Sequence, residues 1–177
     1  MNLLEQDFII PQLKIVSSFL DIKFILIATI VIPAIYLFYK RYRMECVLLL
    51  AATSAYPYVL LLKAVFKLPR PPENDLSFFL PWDVYGFPSG HVVIYTAFWG
   101  FLLFLTFHTH RIGKTVRKLV QWICIYFLVF VGASRVGLGA HYVRDVVFGY
   151  IFGVVFLTGL IFLYGYLKYR RNSIAKD

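Results

Sequence analysis

The chain has 177 residues, of which 60% are hydrophobic, 19% aromatic and only 15% charged. A mean hydropathy of +0.74 over that length is too high for a water-soluble domain and assigns the chain to a bilayer. The formal net charge of +9 does not mark a nucleic-acid binder, because the lysines and arginines stand in short loops between apolar runs and in the tail, not along one interleaved basic face.

Residues 1–21 mix Leu3, Leu4, Phe8, Ile9 and Ile10 with Glu5, Asp7, Lys14 and Asp21, and Pro11 interrupts them. That pattern predicts an interfacial amphipathic segment rather than a span. Acids precede any apolar stretch and no basic region leads into a hydrophobic core, so no cleavable signal peptide is expected. Residues 22–168 then carry five apolar runs long enough, or nearly so, to cross about 30 Å of hydrocarbon. They are Ile22 to Tyr39, Cys46 to Phe66, Val92 to Phe107, Leu119 to Ser134 and Val146 to Leu167. The expected fold is all-α, an integral membrane helical bundle of five to six transmembrane helices, with residues 169–177 as a basic cytoplasmic tail. Cys46 and Cys124 lack metal-ligand spacing and read as buried small hydrophobes.

Basic residues set the orientation. Lys40, Arg41 and Arg43 follow the first run, Arg111, Lys114, Arg117 and Lys118 follow the third, and Lys168, Arg170, Arg171 and Lys176 follow the fifth. The positive-inside rule makes these three segments cytoplasmic. The two other connections, Lys67 to His91 and Arg135 to Asp145, then share the opposite face.

Those two connections hold most of the polar groups that a membrane protein does not keep without a use. Lys63 lies near the outer end of the second run and implies an anionic counterpart. Arg70 follows seven residues later, close to two helical turns, so both are expected on one side before Pro69 and Pro71 end the helix. Pro72 to Phe87 alternates acids with Phe78, Phe79, Trp82 and Tyr85, a composition suited to the headgroup layer and to covering a site there. Ser89 and Gly90 stand before His91 at the start of the third run, where a serine cap and free backbone N–H groups would cradle an anion. Arg135 adds a cation whose planar fork suits phosphate oxygens. Arg144, also on this face, reads as a ligand contact rather than a flanking charge. His141 and Asp145 are four apart at the start of the last run, so on one helix they share a face and the carboxylate fixes the imidazole tautomer.

The full pattern, KAVFKLPRP at 63–71, PSGH at 88–91 and SRVGLGAHYVRD at 134–145, resembles the type 2 phosphatidic acid phosphatase family, integral-membrane relatives of the vanadium haloperoxidases. The resemblance covers about residues 60–150. It implies that Lys63, Arg70, Ser89, Gly90 and Arg135 hold phosphate, that His141 forms a phosphohistidine, that His91 protonates the leaving group and that Asp145 orients His141. It implies no metal and no cofactor. Family members often have two spans before the first motif, where this chain has one clear span and the amphipathic segment.

The function expected is a membrane lipid phosphatase acting on a lipid monophosphate or pyrophosphate: undecaprenyl pyrophosphate, phosphatidylglycerol phosphate, phosphatidic acid or a lipid A phosphate. The expected setting is a bacterial inner membrane with the site on the periplasmic or extracellular face, with no nucleic-acid partner. A lipid phosphotransferase using the same histidine is the enzymatic alternative. A lipid-phosphate binding or transport protein would need neither His91 nor His141 and Asp145.

Overall fold

The computed structural model of the chain describes residues 11–16, 23–71, 85–110 and 112–174. Most of the N-terminal segment, most of the loop from Pro72 to Phe87, and Arg111 and Lys176 lie outside the described residues.

Residues 11–16 are helical. After them come α1 (Lys23–Tyr39), α2 (Arg43–Ala51), a single 3₁₀ turn (Ala52–Ser54), α3 (Ala55–Phe66), α4 (Gly90–His108), α5 (Lys114–Gly137) and α6 (Val143–Ile174). The described residues form no sheet; extended pairing is confined to a bridge between Pro69 and Tyr85. Four stretches, Arg43–Phe66, Gly90–His108, Lys114–Gly137 and Val143–Ile174, are long and apolar enough to cross a membrane, and Leu26–Tyr39 is a shorter apolar helix. The protein is an integral membrane helical bundle. Within the second span, α2 and α3 are joined through the 3₁₀ turn, where Thr53 and Ser54 bond back to the carbonyls of Leu50 and Ala51. Such back-bonding satisfies a hydroxyl in an apolar setting.

The reversals are tight. Arg41 adopts φ 65° at the end of α1, and the Tyr42 N–H donates to the Leu37 carbonyl at 2.9 Å, closing the last turn of that helix. Lys67 ends α3 in the same left-handed region, at φ 50°.

α4 is the central element. Val92, Tyr95, Phe98, Phe101, Leu102 and Leu105 are all buried along it, and it packs against both α5 and α6. Outer faces are apolar and exposed, as at Trp122 and Val129 on α5 and Ile151, Val155 and Phe162 on α6, which is the distribution expected where lipid replaces water.

In a membrane, close helix contact depends on small residues that let backbones approach. Gly149 and Gly153 supply them on α6. A Cβ on Gly149 would lie 2.9 Å from Val92 Cβ and 3.2 Å from the Ser89 carbonyl oxygen, and one on Gly153 would lie 2.6 Å from Thr96 Cβ. Across the bundle, the Tyr150 hydroxyl ties α6 to α5 by donating to the Leu128 carbonyl at 2.7 Å and accepting from the Gly132 N–H at 3.2 Å.

Gly153→Ala therefore has to push α6 away from α4, at about 1–3 kcal/mol. Gly159→Ala meets open space and gains helix propensity, so it is neutral or slightly stabilising. Thermal unfolding of the two variants in detergent should show a clear drop in midpoint for the first and none for the second.

Candidate active site

The motif residues converge where α3 ends, α4 and α6 begin and α5 ends. The turn from α5 to α6 is built on the Arg135 carbonyl, which accepts from the N–H groups of Ala140 (3.0 Å) and His141 (3.2 Å), with Gly139 at φ 68° supplying the left-handed step. His141 is therefore not on the last helix, as its spacing predicts, but in the turn before it. The four-residue proximity to Asp145 arises from a different device. Tyr142 is the residue before α6; its N–H donates to Asp145 Oδ2 at 3.0 Å, and the Asp145 N–H donates to the Tyr142 carbonyl at 3.0 Å. This is the acidic half of a capping box, an acid in the first turn satisfying the backbone donor three residues before it.

That capping carboxylate also faces the histidine. His141 Nδ1 lies 3.6 Å from Asp145 Oδ2, within ion-pairing distance but longer than a hydrogen bond, and both side chains are buried. Separations of this kind commonly shorten once a ligand is bound. With Nδ1 turned toward the carboxylate, Nε2 is the nitrogen left to react. Burial lowers the His141 pKa to about 4; the carboxylate opposes that shift, and the positive charges of Arg70, Arg135 and His91 add to it. The imidazole is neutral at pH 7.

Arg135 is buried in the last turn of α5. Lys63 is only 3% exposed in the last turn of α3. Its stem passes the start of α4, where a Cβ on Gly90 would sit 4.0 Å from Lys63 Cε and 3.2 Å from Val59 Cγ1. Gly90 thus lets Val59 of α3 approach the helix N-terminus closely, with the lysine stem at ordinary contact distance. Arg70 is not on the helical face with Lys63. The helix stops at Phe66, Lys67 turns left-handed, and Arg70 follows in an extended segment held by the Pro69–Tyr85 bridge and by the Gly86 N–H donating to the Leu68 carbonyl at 2.8 Å. Its charge still bears on His141.

Ser89 occupies the N-cap position of α4, but its hydroxyl makes no capping hydrogen bond, contrary to the expectation from sequence. Its backbone N–H is used across the bundle, donating to the Asp145 carbonyl at 3.0 Å. The buried Oγ has no hydrogen-bond partner among the described residues. A buried hydroxyl in that state is costly unless a ligand completes it. Arg144 differs from the other motif cations: it is 57% exposed, with Nε 3.5 Å from Asp145 Oδ1 and its guanidinium 5.1 Å from the Tyr142 ring centroid.

One neighbour was not singled out by sequence. Tyr95 lies one turn after His91, and their ring centroids are 6.3 Å apart. The i, i+4 relation on a helix is the signal that points to it.

A polytopic helical membrane protein, with a buried histidine and carboxylate set among basic side chains, is the class that fold and site define together. The family profile of the PAP2 superfamily matches residues 44–170, and the chain belongs to that superfamily. Its structure is similar to the crystal structure of a transmembrane PAP2 type phosphatidylglycerolphosphate phosphatase from Bacillus subtilis, with a TM-score of 0.73 and 23% identity over 89% of this chain and 77% of that one. The likeness establishes the shared fold.

The depressed pKa of His141 makes stability depend on pH with a definite sign. Between about 4 and 6.5 the unfolded chain binds this proton and the folded one does not, so the contribution is complete above pH 6.5 and is lost as pH falls toward 4. The unfolding free energy should decline over that interval, by at most about 1.4 kcal/mol per pH unit from this group, and the thermal midpoint with it. His141→Asn should flatten the decline, measured by thermal unfolding in detergent across the pH series.

Proposed function

We propose that the protein is a lipid phosphatase that works through a phosphohistidine, with its site on the non-cytoplasmic face. The observation that carries this reading is the placement of the buried His141–Asp145 pair within electrostatic reach of Arg70, Arg135 and His91 at one end of a membrane bundle. Membership of the PAP2 superfamily and the named activity of the Bacillus subtilis relative support it.

In the first step His141 Nε2 attacks phosphorus, the bond from phosphorus to the leaving oxygen breaks, and His91 gives that oxygen a proton. Asp145 stabilises the imidazolium formed on His141. In the second step His91 takes a proton from water as the water oxygen attacks phosphorus, the P–N bond breaks, and inorganic phosphate leaves. Lys63, Arg70 and Arg135 neutralise charge on the phosphoryl oxygens throughout, with the Ser89 hydroxyl and the first N–H groups of α4 as further donors. Concentrating cations around a neutral nucleophile suits this chemistry, since bound phosphate offsets the charges that lower the His141 pKa.

A lipid substrate is supported by a cavity of about 130 Å³ between α1, the 3₁₀ turn region and α4, lined by Leu26, Ile30, Tyr56, Ile94, Tyr95 and Trp99. Tyr95 belongs both to that lining and to the surroundings of His91, so an apolar chain placed there leads to the phosphate site. Undecaprenyl pyrophosphate, phosphatidylglycerol phosphate, phosphatidic acid and lipid A phosphates all present the terminal phosphate this chemistry requires. The basic residues Lys40, Arg43, Lys114, Lys118 and Arg170 at the opposite loops and tail support a non-cytoplasmic site.

Phosphate release from these lipids, assayed in detergent with a chelator present, tests the reading. At least one lipid should be hydrolysed by the native protein, and His141→Ala should reduce the rate at least about 10³-fold. Native-like release by His141→Ala would rule out the phosphohistidine, and lipid binding without any release would favour a binding protein.

A further inference from the structure

The helical residues 11–16 sit on the motif end of the bundle, outside the part of the chain matched by the family profile. Two contacts hold them there. Leu13 packs against the last residue of α5: a Cβ on Gly137 would come 2.7 Å from Leu13 Cδ1. Val16 is 1% exposed, and its carbonyl accepts the Tyr95 hydroxyl at 2.5 Å, a bond that spans 79 residues of sequence. Residues 11–16, which include Pro11, Gln12 and Lys14, are thus docked into the protein through Leu13 and Val16, rather than resting only on the membrane interface.

Tyr95 is itself 2% exposed and held from two sides. Its hydroxyl is tied to Val16, one side of its ring meets Phe127 edge-on at 5.8 Å, and Phe127 in turn stacks on Trp99 at 4.5 Å. The His91 ring stands 6.3 Å away at an interplanar angle of 32°, within the range where aromatic rings influence each other's orientation. Phenylalanine would fill the same space and pack on Phe127 equally well. What the tyrosine adds is the hydroxyl, and that hydroxyl is bonded to the N-terminal segment. Proton transfer to a leaving oxygen depends steeply on the position of the donor nitrogen, so a neighbour that limits the swing of the His91 ring acts on the chemical step.

We infer that Tyr95 is a positioning residue for His91, and that residues 11–16 are through it a working part of the active site. The inference rests on the general-acid role given to His91 in the proposed function. It has a signature that a purely architectural role lacks. A phosphate ester with an alkyl leaving group needs the proton from His91, whereas p-nitrophenyl phosphate, whose leaving group departs as a stable anion, needs it far less.

The measurement is the ratio of kcat/KM on an alkyl lipid phosphate to kcat/KM on p-nitrophenyl phosphate in the whole chain, because kcat/KM reports the step in which the leaving group departs and not the later hydrolysis, where His91 serves both esters alike. Tyr95→Phe should lower that ratio about 10-fold, a fraction of the roughly 10²-fold or greater contribution of a general acid. Leu13→Ala, which loosens the segment without altering Tyr95, should lower the ratio in the same direction, and turnover of the aryl ester monitors folding in each variant. His91→Ala should lower it furthest, with no additional fall when Tyr95→Phe is combined with it. Equal losses on both esters, or no loss in Tyr95→Phe, would overturn the inference while leaving the role of His91 intact. An unchanged ratio in His91→Ala would instead remove the general acid, and the inference with it.

Discussion

The site depends on how closely α4 and α6 approach. Gly149 leaves space for Val92 and for the Ser89 carbonyl, and the Ser89 N–H donates across the same gap to the Asp145 carbonyl. Remove that proximity and the N-terminus of α4, with Ser89, Gly90 and His91, separates from the turn that holds His141. In hydrocarbon there is little hydrophobic drive to bring helices together, so glycine contacts and interhelical hydrogen bonds have to supply it. The resulting arrangement places a helix start and a preceding turn side by side, each with polar backbone that would be hard to satisfy deeper in the bundle.

Around that contact, positive charge is concentrated. Burial above all, with the charges of Arg70 and Arg135 adding to it, keeps His141 uncharged, while Lys63 and Arg135 are buried among helices that would not tolerate them without compensation. Each of these groups is unfavourable alone. Together they give the end of the bundle opposite its basic loops a buried excess of positive charge, the setting on which the proposed phosphate chemistry draws.

Much of this was legible in the sequence. Apolar runs located the helices, although α5 begins at Lys114, ahead of its run at Leu119, and α6 continues past Leu167 to Ile174 because polar and basic residues extend a helix as readily as apolar ones; the basic loops separated the two ends of the bundle without reference to chemistry. What sequence spacing misjudged was local backbone. Arg70 was expected two helical turns beyond Lys63, yet α3 ends at Lys67 in a left-handed conformation that a lysine does not advertise as glycine would. His141 was expected on the last helix and lies in the turn before it, because the helix begins only where Asp145 can cap it. Ser89 was expected to cap α4 through its hydroxyl, which remains unused at the N-cap position. The docking of residues 11–16 was out of reach altogether: its two contacts join residues 79 and more than 100 positions apart, and nothing in the local pattern encodes them.

Asp145 holds the Tyr142 N–H with the same oxygen that faces His141. One oxygen therefore serves the start of α6 and the surroundings of the imidazole at once. A side chain too short to reach the Tyr142 N–H disturbs both, whereas asparagine can still accept that bond and removes only the negative charge beside His141. Helix start and local charge at this position are thus coupled through one atom yet separable by a single isosteric change.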